Sequence, residues 1–443
     1  MSSKTSIKKR LLSNISASSF GKISGSLVTV AQVPIFLAYL GPGTYAVWIV
    51  LSSIPAWLSM ADVGFGAVAA NEISLKSATG DWKAAERVFH SALVGIISVS
   101  AAVMAIVAVG VPLVNWGGLL GVANISENRL KLILIVLCCA SIVGLQGSLG
   151  DALFRSKGRA DLAILLRSTR PLVTLCLLVI ALHFFRSVSA AATALLLANI
   201  AFASAGLFFG LRICPELKLG LAGCNYNDFT RCFRKGLAYC VFPLGNAFLL
   251  QGTVLVVNSA LGPLAVVGFS TCRTLVRSAQ QIFNLLGQSV WPEYTTLLGL
   301  GEFDKVRRLL RITLLLNGVV AMIASFSLVL FGPMIYQQWT GSMVELDQTV
   351  LRLFVLTIPT SAIWFGYTTL INASNEHERF AFWYLVLCLV TIPICYQLTM
   401  TNGLPGAAMS VILFDFLVIP FAAYECYRIL GDARWAKVER SIT

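Results

Sequence analysis

The chain has 443 residues, of which 57% are hydrophobic and 12% charged, and its mean hydropathy is +0.81. A water-soluble domain carries about 25% charged residues, so this composition excludes one and indicates an all-α integral membrane protein. The net charge of +13 would suit a nucleic-acid partner, but 24 of the 33 Lys and Arg fall in the tails and alternate loops, four (Arg129, Lys131, Arg186, Arg352) in or beside the other loops, and five inside apolar runs. That asymmetry follows the positive-inside rule, puts both termini in the cytoplasm and removes the case for nucleic acid.

A helix crosses the hydrocarbon core with about 20 apolar residues. Twelve stretches qualify: 15–39, 44–70, 89–113, 131–152, 162–184, 187–212, 237–261, 264–297, 309–333, 349–373, 380–399 and 405–428. Residues 1–10 are polar and basic, and the run behind them is too long for the apolar core of a signal peptide. The longest outward-facing loop, about Asn115 to Leu130, leaves no room for a large extracytoplasmic domain.

Five cations interrupt these spans: Lys22, Arg167, Arg170, Arg273 and Arg277. A charge at mid-span costs roughly 3 kcal/mol on insertion scales, so such residues face protein or a water-filled cavity. Because all five share one sign, the implied substrate is an anion.

In span 1, Ser18, Lys22, Ser26 and Thr29 recur at steps of three or four. Gly21 and Gly25 thin the helix for close packing, which accounts for the serines but not for Lys22; snorkelling to the inner surface is its other explanation. Asp62, near the inner end of span 2, suits a pair with Lys22, a coupling-ion site or a structural cap. Span 5 holds Arg167 and Arg170, with Thr174 on the same side and Pro171 placed to kink the helix. These two arginines are either cavity residues or anchors at the inner surface.

Span 8 is the most informative. Arg273 and Arg277 are four apart and share a helix face, which Gln280 or Gln281, Asn284 and Gln288 continue. Lipid cannot satisfy the donors of such a stripe. Counting 1.5 Å per residue from Gly262, Arg273 lies about 16 Å and Arg277 about 22 Å from the outer end. Trp291, Pro292, Glu293 and Tyr294 read as an interfacial end to the span. Asn246, Gln251, Asn258 and Asn317 line a cavity or bond between helices. Asp415, in span 12, is the deepest isolated carboxylate and a candidate for proton coupling.

The halves repeat. Leu40-Gly41-Pro42 closes span 1 and Leu261-Gly262-Pro263 closes span 7; Gly80-Asp81-Trp82 and Gly301-Glu302-Phe303 follow spans 2 and 8, and the two pairs of motifs share one offset in the numbering. Both halves start inside and hold six spans, so the repeat is parallel. The expected organisation is an N-lobe over 1–213, a basic cytoplasmic linker over 214–236 and a C-lobe over 237–443, with a cleft between the lobes. None of the eleven cysteines falls in an outward loop, so no disulfide framework is expected. No Walker A loop, metal-binding His cluster or Gly-x-Ser-x-Gly is present, and neither a metal nor a cofactor is implied.

The stretch from Tyr39 to Trp48, followed by Asp62-Val63-Gly64-Phe65-Gly66 and later by Leu404-Pro405-Gly406-Ala407-Ala408, resembles the bacterial O-antigen and exopolysaccharide (Wzx-type) flippases. These belong to the multidrug/oligosaccharidyl-lipid/polysaccharide superfamily. The resemblance implies a MATE-like fold of twelve spans in two lobes, alternating access, and a place in the bacterial inner membrane. It also implies a cargo of undecaprenyl-diphosphate-linked oligosaccharide moved to the outer leaflet, with a polysaccharide polymerase and a chain-length regulator as further partners. Buried Arg and Lys suit a diphosphate. The sequence does not select among H+, Na+ and Cl− as a coupling ion. The competing readings are a multidrug antiporter of the same superfamily, which would want buried carboxylates, and a membrane polysaccharide polymerase or ligase, which would want a large outward loop.

Overall fold

A computed structural model describes residues 2–59, 72–73, 76–77, 80–121, 125–157, 159–221, 223–225, 229–230, 241–374 and 376–431. Within its helices the side chains of some residues, including 2–19, Lys22 and Gln288, lie outside the description, as does all of Asp62. Every regular element among the described residues is helical, which satisfies the backbone groups within each segment where the bilayer offers no water. Among the described residues, nine segments are long and apolar enough to cross it, so the chain is a multi-pass membrane protein. The second predicted crossing, over 44–70, runs into residues outside the description.

Two compact units divide the chain, 1–247 and 248–443. The first contains α1 (Ser2–Ser59), α2 (Trp82–Leu113), the short α3 (Trp116–Leu120), α4 (Glu127–Ser156), α5 (Ala160–Phe185) and α6 (Val188–Ile213). Helix α4 packs most extensively on α6, and α1 on α5. Small residues set the α4–α6 approach: a Cβ on Gly150 would come within 2.8 Å of the Gly206 backbone, the close contact that holds helices together without a hydrophobic driving force. A core of Phe89, Ile96, Leu145, Leu149 and Leu153 joins α2 to α4, and Cys214 and Leu217 from the following segment complete it.

Helix α7 (Val241–Leu261) carries a π-helical turn over Phe248–Gly252, and the division between the units falls at the start of that turn. Unit 2 continues with α8 (Pro263–Gly299), α9 (Phe303–Thr340), α10 (Gln348–Ala373) and α11 (Glu378–Gly431). Helix α10 packs on α8, α9 and α11, and α11 also packs on α7. Helix α11 is a hairpin folded at Gly403 (φ 64°, ψ −145°): Trp383 and Phe421 lie 5.3 Å apart ring to ring, as do Tyr384 and Phe414 at 5.5 Å. Helix α1 folds back in the same way at Gly41, which brings Phe36 within 5.0 Å of Trp48.

The internal repeat is present at the level of backbone angles. Gly41 (φ 71°, ψ 168°) and its counterpart Gly262 (φ 84°, ψ 171°) share a conformation that a Cβ would strain. At Gly80 and Gly301 the chain leaves a helix through the same pair of bonds. Gly80 N donates to Ser77 O and Asp81 N to Lys76 O; Gly301 N donates to Leu298 O and Glu302 N to Leu297 O, all at 3.0 to 3.1 Å. This is a Schellman motif, with glycine in its left-handed position. Helices α4 and α10 begin at Glu127 and Gln348, which stand at the same offset as the two glycine pairs.

One expectation fails locally. Helix α8 does not end at an interfacial Trp291–Tyr294 but runs on to Gly299, and Tyr294 is fully buried with its hydroxyl donating to Thr313 Oγ1 at 3.1 Å. Aromatics beside proline read the same in sequence whether they anchor at lipid headgroups or pack beneath a neighbouring helix; here α9 covers Tyr294.

Candidate functional site

Helix α8 has 37 residues, yet it is not among the nine described segments apolar enough to count as membrane crossings by composition. Its polar row explains why, and neighbouring helices of unit 2 meet that row. Arg273 donates from Nη1 to Leu250 O and to Thr253 Oγ1, both at 2.9 Å, and its guanidinium stands 5.1 Å from the Phe269 ring. Leu250 belongs to the π turn of α7. A π turn disturbs the regular i to i−4 ladder and frees carbonyl valence, and Arg273 uses it. One turn on, Arg277 is half-buried and forms no hydrogen bond or ion pair among the described residues. It lies in electrostatic range of Asp415 and Tyr384 on α11.

Asp415 is 5% exposed and accepts two neutral donors from α10, Thr360 Oγ1 at 2.9 Å and Trp364 Nε1 at 3.0 Å. Those bonds orient the carboxylate without neutralising it. Tyr384 stacks edge-on against Phe414 and lies 6.2 Å from Trp364, so the carboxylate sits in an aromatic shell. Farther along α8, Gln280 donates to Thr357 O at 3.1 Å and Thr357 Oγ1 at 2.9 Å, while half-buried Gln281 accepts from Asn284 at 3.4 Å. Unit 2 therefore gathers two guanidinium groups, one carboxylate, three threonine hydroxyls and an amide row.

Unit 1 contains a related arrangement. Arg170 Nη2 donates to Asn199 Oδ1 at 2.6 Å, and Asn199 Nδ2 donates to Ala140 O at 2.8 Å. Gly144 leaves room for this guanidinium, since a Cβ there would lie 3.0 Å from Arg170 Nη2. Arg167 differs: its side chain is 61% exposed and meets Asp151 at 3.7 Å. Helix α5 stays a single helix through Pro171. Ser24 Oγ donates to Ser168 O at 3.0 Å, and a Cβ on Gly21 would overlap Ser168 Oγ. The backbone of Lys22 is thus at the level of Arg167 and Arg170. The side chain of Lys22, that of Gln288, and Asp62 lie outside the described residues. Asn246 is half-buried on α7, and Asn317 Nδ2 donates to Ala362 O, a bond between α9 and α10.

Asn199 and Asp415 are equivalent positions. Helix α6 and the second arm of α11 share a burial pattern at one constant offset: Ala191 with Ala407, Ala192 with Ala408, Ala198 with Phe414, Gly206 with Ala422, Gly210 with Cys426, and Asn199 with Asp415. Each polar residue bonds to the equivalent neighbour, Asn199 to α4 and Asp415 to α10. Unit 1 has a neutral amide where unit 2 has a carboxylate. Sequence reasoning missed Asn199, Thr253, Thr360, Trp364 and Tyr384. The readable trace was Thr357, Thr360, Ser361 and Trp364 at three- to four-residue steps in span 10.

No metal-ligating group of three or more His, Cys, Asp or Glu occurs among the described residues. No protein-family model and no curated protein matches the sequence. Solved structures do match over nearly the whole chain. The inward-facing conformation of a multidrug resistance MATE family transporter of the MOP superfamily superposes with a TM-score of 0.72 at 14% identity, covering 98% of this chain and 99% of the other. A Vibrio cholerae MATE transporter gives 0.61 at 15% identity, covering 100% and 99%. A eukaryotic MATE transporter gives 0.63 at 15% identity, covering 98% and 99%. The chain has the MATE fold.

Proposed function

We propose that the protein is a flippase that moves undecaprenyl-diphosphate-linked oligosaccharide from the cytoplasmic to the outer leaflet of the bacterial inner membrane, by alternating access and without enzymatic turnover of its cargo. The observation that carries this reading is Arg277, a half-buried guanidinium one turn from Arg273 that makes no direct hydrogen bond or ion pair among the described residues. A desolvated cation without a partner is unfavourable unless a ligand supplies the anion. A diphosphate offers oxygens that two neighbouring guanidinium groups take up as charge-assisted bonds. In this reading Arg273 and Arg277 hold the diphosphate in unit 2. Lys22, Arg167 and Arg170, with the amide of Asn246, are assigned to a second polar, cationic region in unit 1, and within unit 2 Gln281, Asn284 and Gln288 are assigned to the sugar hydroxyls. Asp62 and Asp415 are the candidates for ion coupling.

A second reading rests on Asp415. A buried carboxylate ringed by Trp364, Tyr384 and Phe414 suits an organic cation, as in a multidrug antiporter. The two readings separate on Asp415→Asn with purified protein, using a lipid diphosphate and a tetraalkylammonium dye as probes. The flippase retains or gains affinity for the diphosphate and binds the dye weakly throughout. Loss of dye binding with no diphosphate binding in either form would favour the antiporter.

A further inference from the structure

The α11 hairpin carries a feature unrelated to the cargo. Its two arms meet, at the end away from Gly403, around a groove of about 400 Å³ lined by Arg379, Trp383, Pro420, Phe421, Tyr424 and Glu425. That volume is within the range of about 300–1,000 Å³ typical of small-molecule sites. Trp383 and Phe421 make its aromatic wall. Arg379 stands some 24 residues from the Gly403 turn, about 36 Å along a helix, which places it at a membrane–water interface.

Arg379 is held for recognition. Its Nε pairs with Glu425 Oε1 at 3.0 Å, and its guanidinium lies 5.4 Å from the Tyr424 ring. Glu425 is 2% exposed, and its other oxygen is taken by Arg428 Nε at 2.7 Å. Arg428 in turn reaches Glu376 at 3.2 Å. Glu425 thus serves as an anchor within the protein. The Arg379 side chain is 52% exposed, and its terminal nitrogens make no hydrogen bond among the described residues. An arginine fixed through Nε and one ring face, with its outer edge open, is a preorganised fork for a phosphate. Tyr424, Tyr427 and Phe382 are exposed on the same two arms of the hairpin, as aromatics are at headgroup level.

We propose that this groove binds an anionic phospholipid, with its phosphate on the outer edge of Arg379 and its acyl chain along Trp383 and Phe421. Charge complementarity selects the occupant. The accessible charge is the guanidinium, while the carboxylate is buried and doubly paired. A choline headgroup would instead meet the Arg379 guanidinium, which already covers the Tyr424 ring and repels a second cation. A basic pocket between helices beside a row of interfacial aromatics matches the general pattern of headgroup recognition.

The test uses the full chain in nanodiscs of phosphatidylcholine, with acyl-brominated phosphatidylglycerol or acyl-brominated phosphatidylcholine added at equal mole fraction. Trp383→Phe, subtracted from the unaltered protein, isolates the fluorescence of Trp383. Brominated phosphatidylglycerol is expected to quench Trp383 several-fold more than brominated phosphatidylcholine. Arg379→Gln should reduce it to the phosphatidylcholine level. Arg379→Lys keeps a partner for Glu425 and should retain a partial preference, which separates lost charge from lost folding. Equal quenching by the two lipids would overturn the proposal, as would a preference that survives Arg379→Gln. Two further outcomes would also overturn it: reversal by inorganic phosphate alone, or enhanced quenching only by a brominated polyprenyl phosphate.

Discussion

Arg273 and Arg277 are both arginines in one helix row, but they should behave oppositely when removed. Arg273 has two interhelical hydrogen bonds, to Leu250 O and Thr253 Oγ1. Bonds of this kind in membrane proteins contribute roughly 0.6 kcal/mol each and up to about 1.7, so Arg273→Gln should lower stability by about 1–3 kcal/mol. Arg277 makes no such bond among the described residues. Arg277→Gln should leave stability within about 0.5 kcal/mol, as for a site with no structural contact to lose. Binding should show no such contrast. Each charge-assisted bond to a phosphate oxygen contributes about 1.5–3 kcal/mol, so either substitution should weaken lipid-diphosphate binding roughly 10- to 150-fold. Thermal unfolding in detergent gives the first quantity, and titration with a fluorescent lipid diphosphate gives the second. If Arg277→Gln destabilises the protein as much as Arg273→Gln, or binds diphosphate with unchanged affinity, Arg277 is a structural residue and not a ligand-seeking one.

Three more outcomes follow from particular contacts. Asp415→Asn removes a carboxylate in electrostatic range of Arg277 and should raise diphosphate affinity; a fall measured by the same titration would make Asp415 part of the binding surface. Gly41→Ala and Gly262→Ala place a side chain in a backbone region nearly reserved for glycine, with nothing within 4 Å to clash; each should cost about 1–3 kcal/mol in thermal unfolding, and a neutral result would mean that the turns relax. Asn199→Leu leaves Arg170 without its acceptor and should cost about 1–3 kcal/mol, whereas Asn199→Asp should be tolerated, because unit 2 carries a carboxylate at the equivalent position; if the two variants unfold at the same temperature, the Arg170–Asn199 bond contributes nothing.

The repeat was legible because glycine reports backbone angle directly. Gly41 and Gly262 match in sequence context and in backbone conformation. The Asn199–Asp415 equivalence was not legible, because the offset between the halves shortens by the last helices and one residue is an amide while the other is an acid. Arg167 and Arg170 look alike in sequence, since residues three apart share a face. Their difference comes from what the neighbouring helices offer: Asp151 near the surface for one, Asn199 in the interior for the other. For the same reason the sequence left Gln280 and Gln281 open: Gln280 bonds Thr357 of the neighbouring helix, while Gln281 continues the row to Asn284. Periodicity gives a side chain's face on its own helix; its partner belongs to another helix.

The role proposed for Arg273 and Arg277 is to hold a diphosphate cargo. Its most direct test is translocation in proteoliposomes loaded with a fluorescent undecaprenyl-diphosphate oligosaccharide, read by the accessibility of the sugar to an enzyme added outside. The unaltered protein should expose the sugar with time, and Arg273→Gln/Arg277→Gln should abolish exposure while remaining folded and inserted. Equal exposure by the double variant, or none by the unaltered protein alongside export of an organic cation, would contradict it.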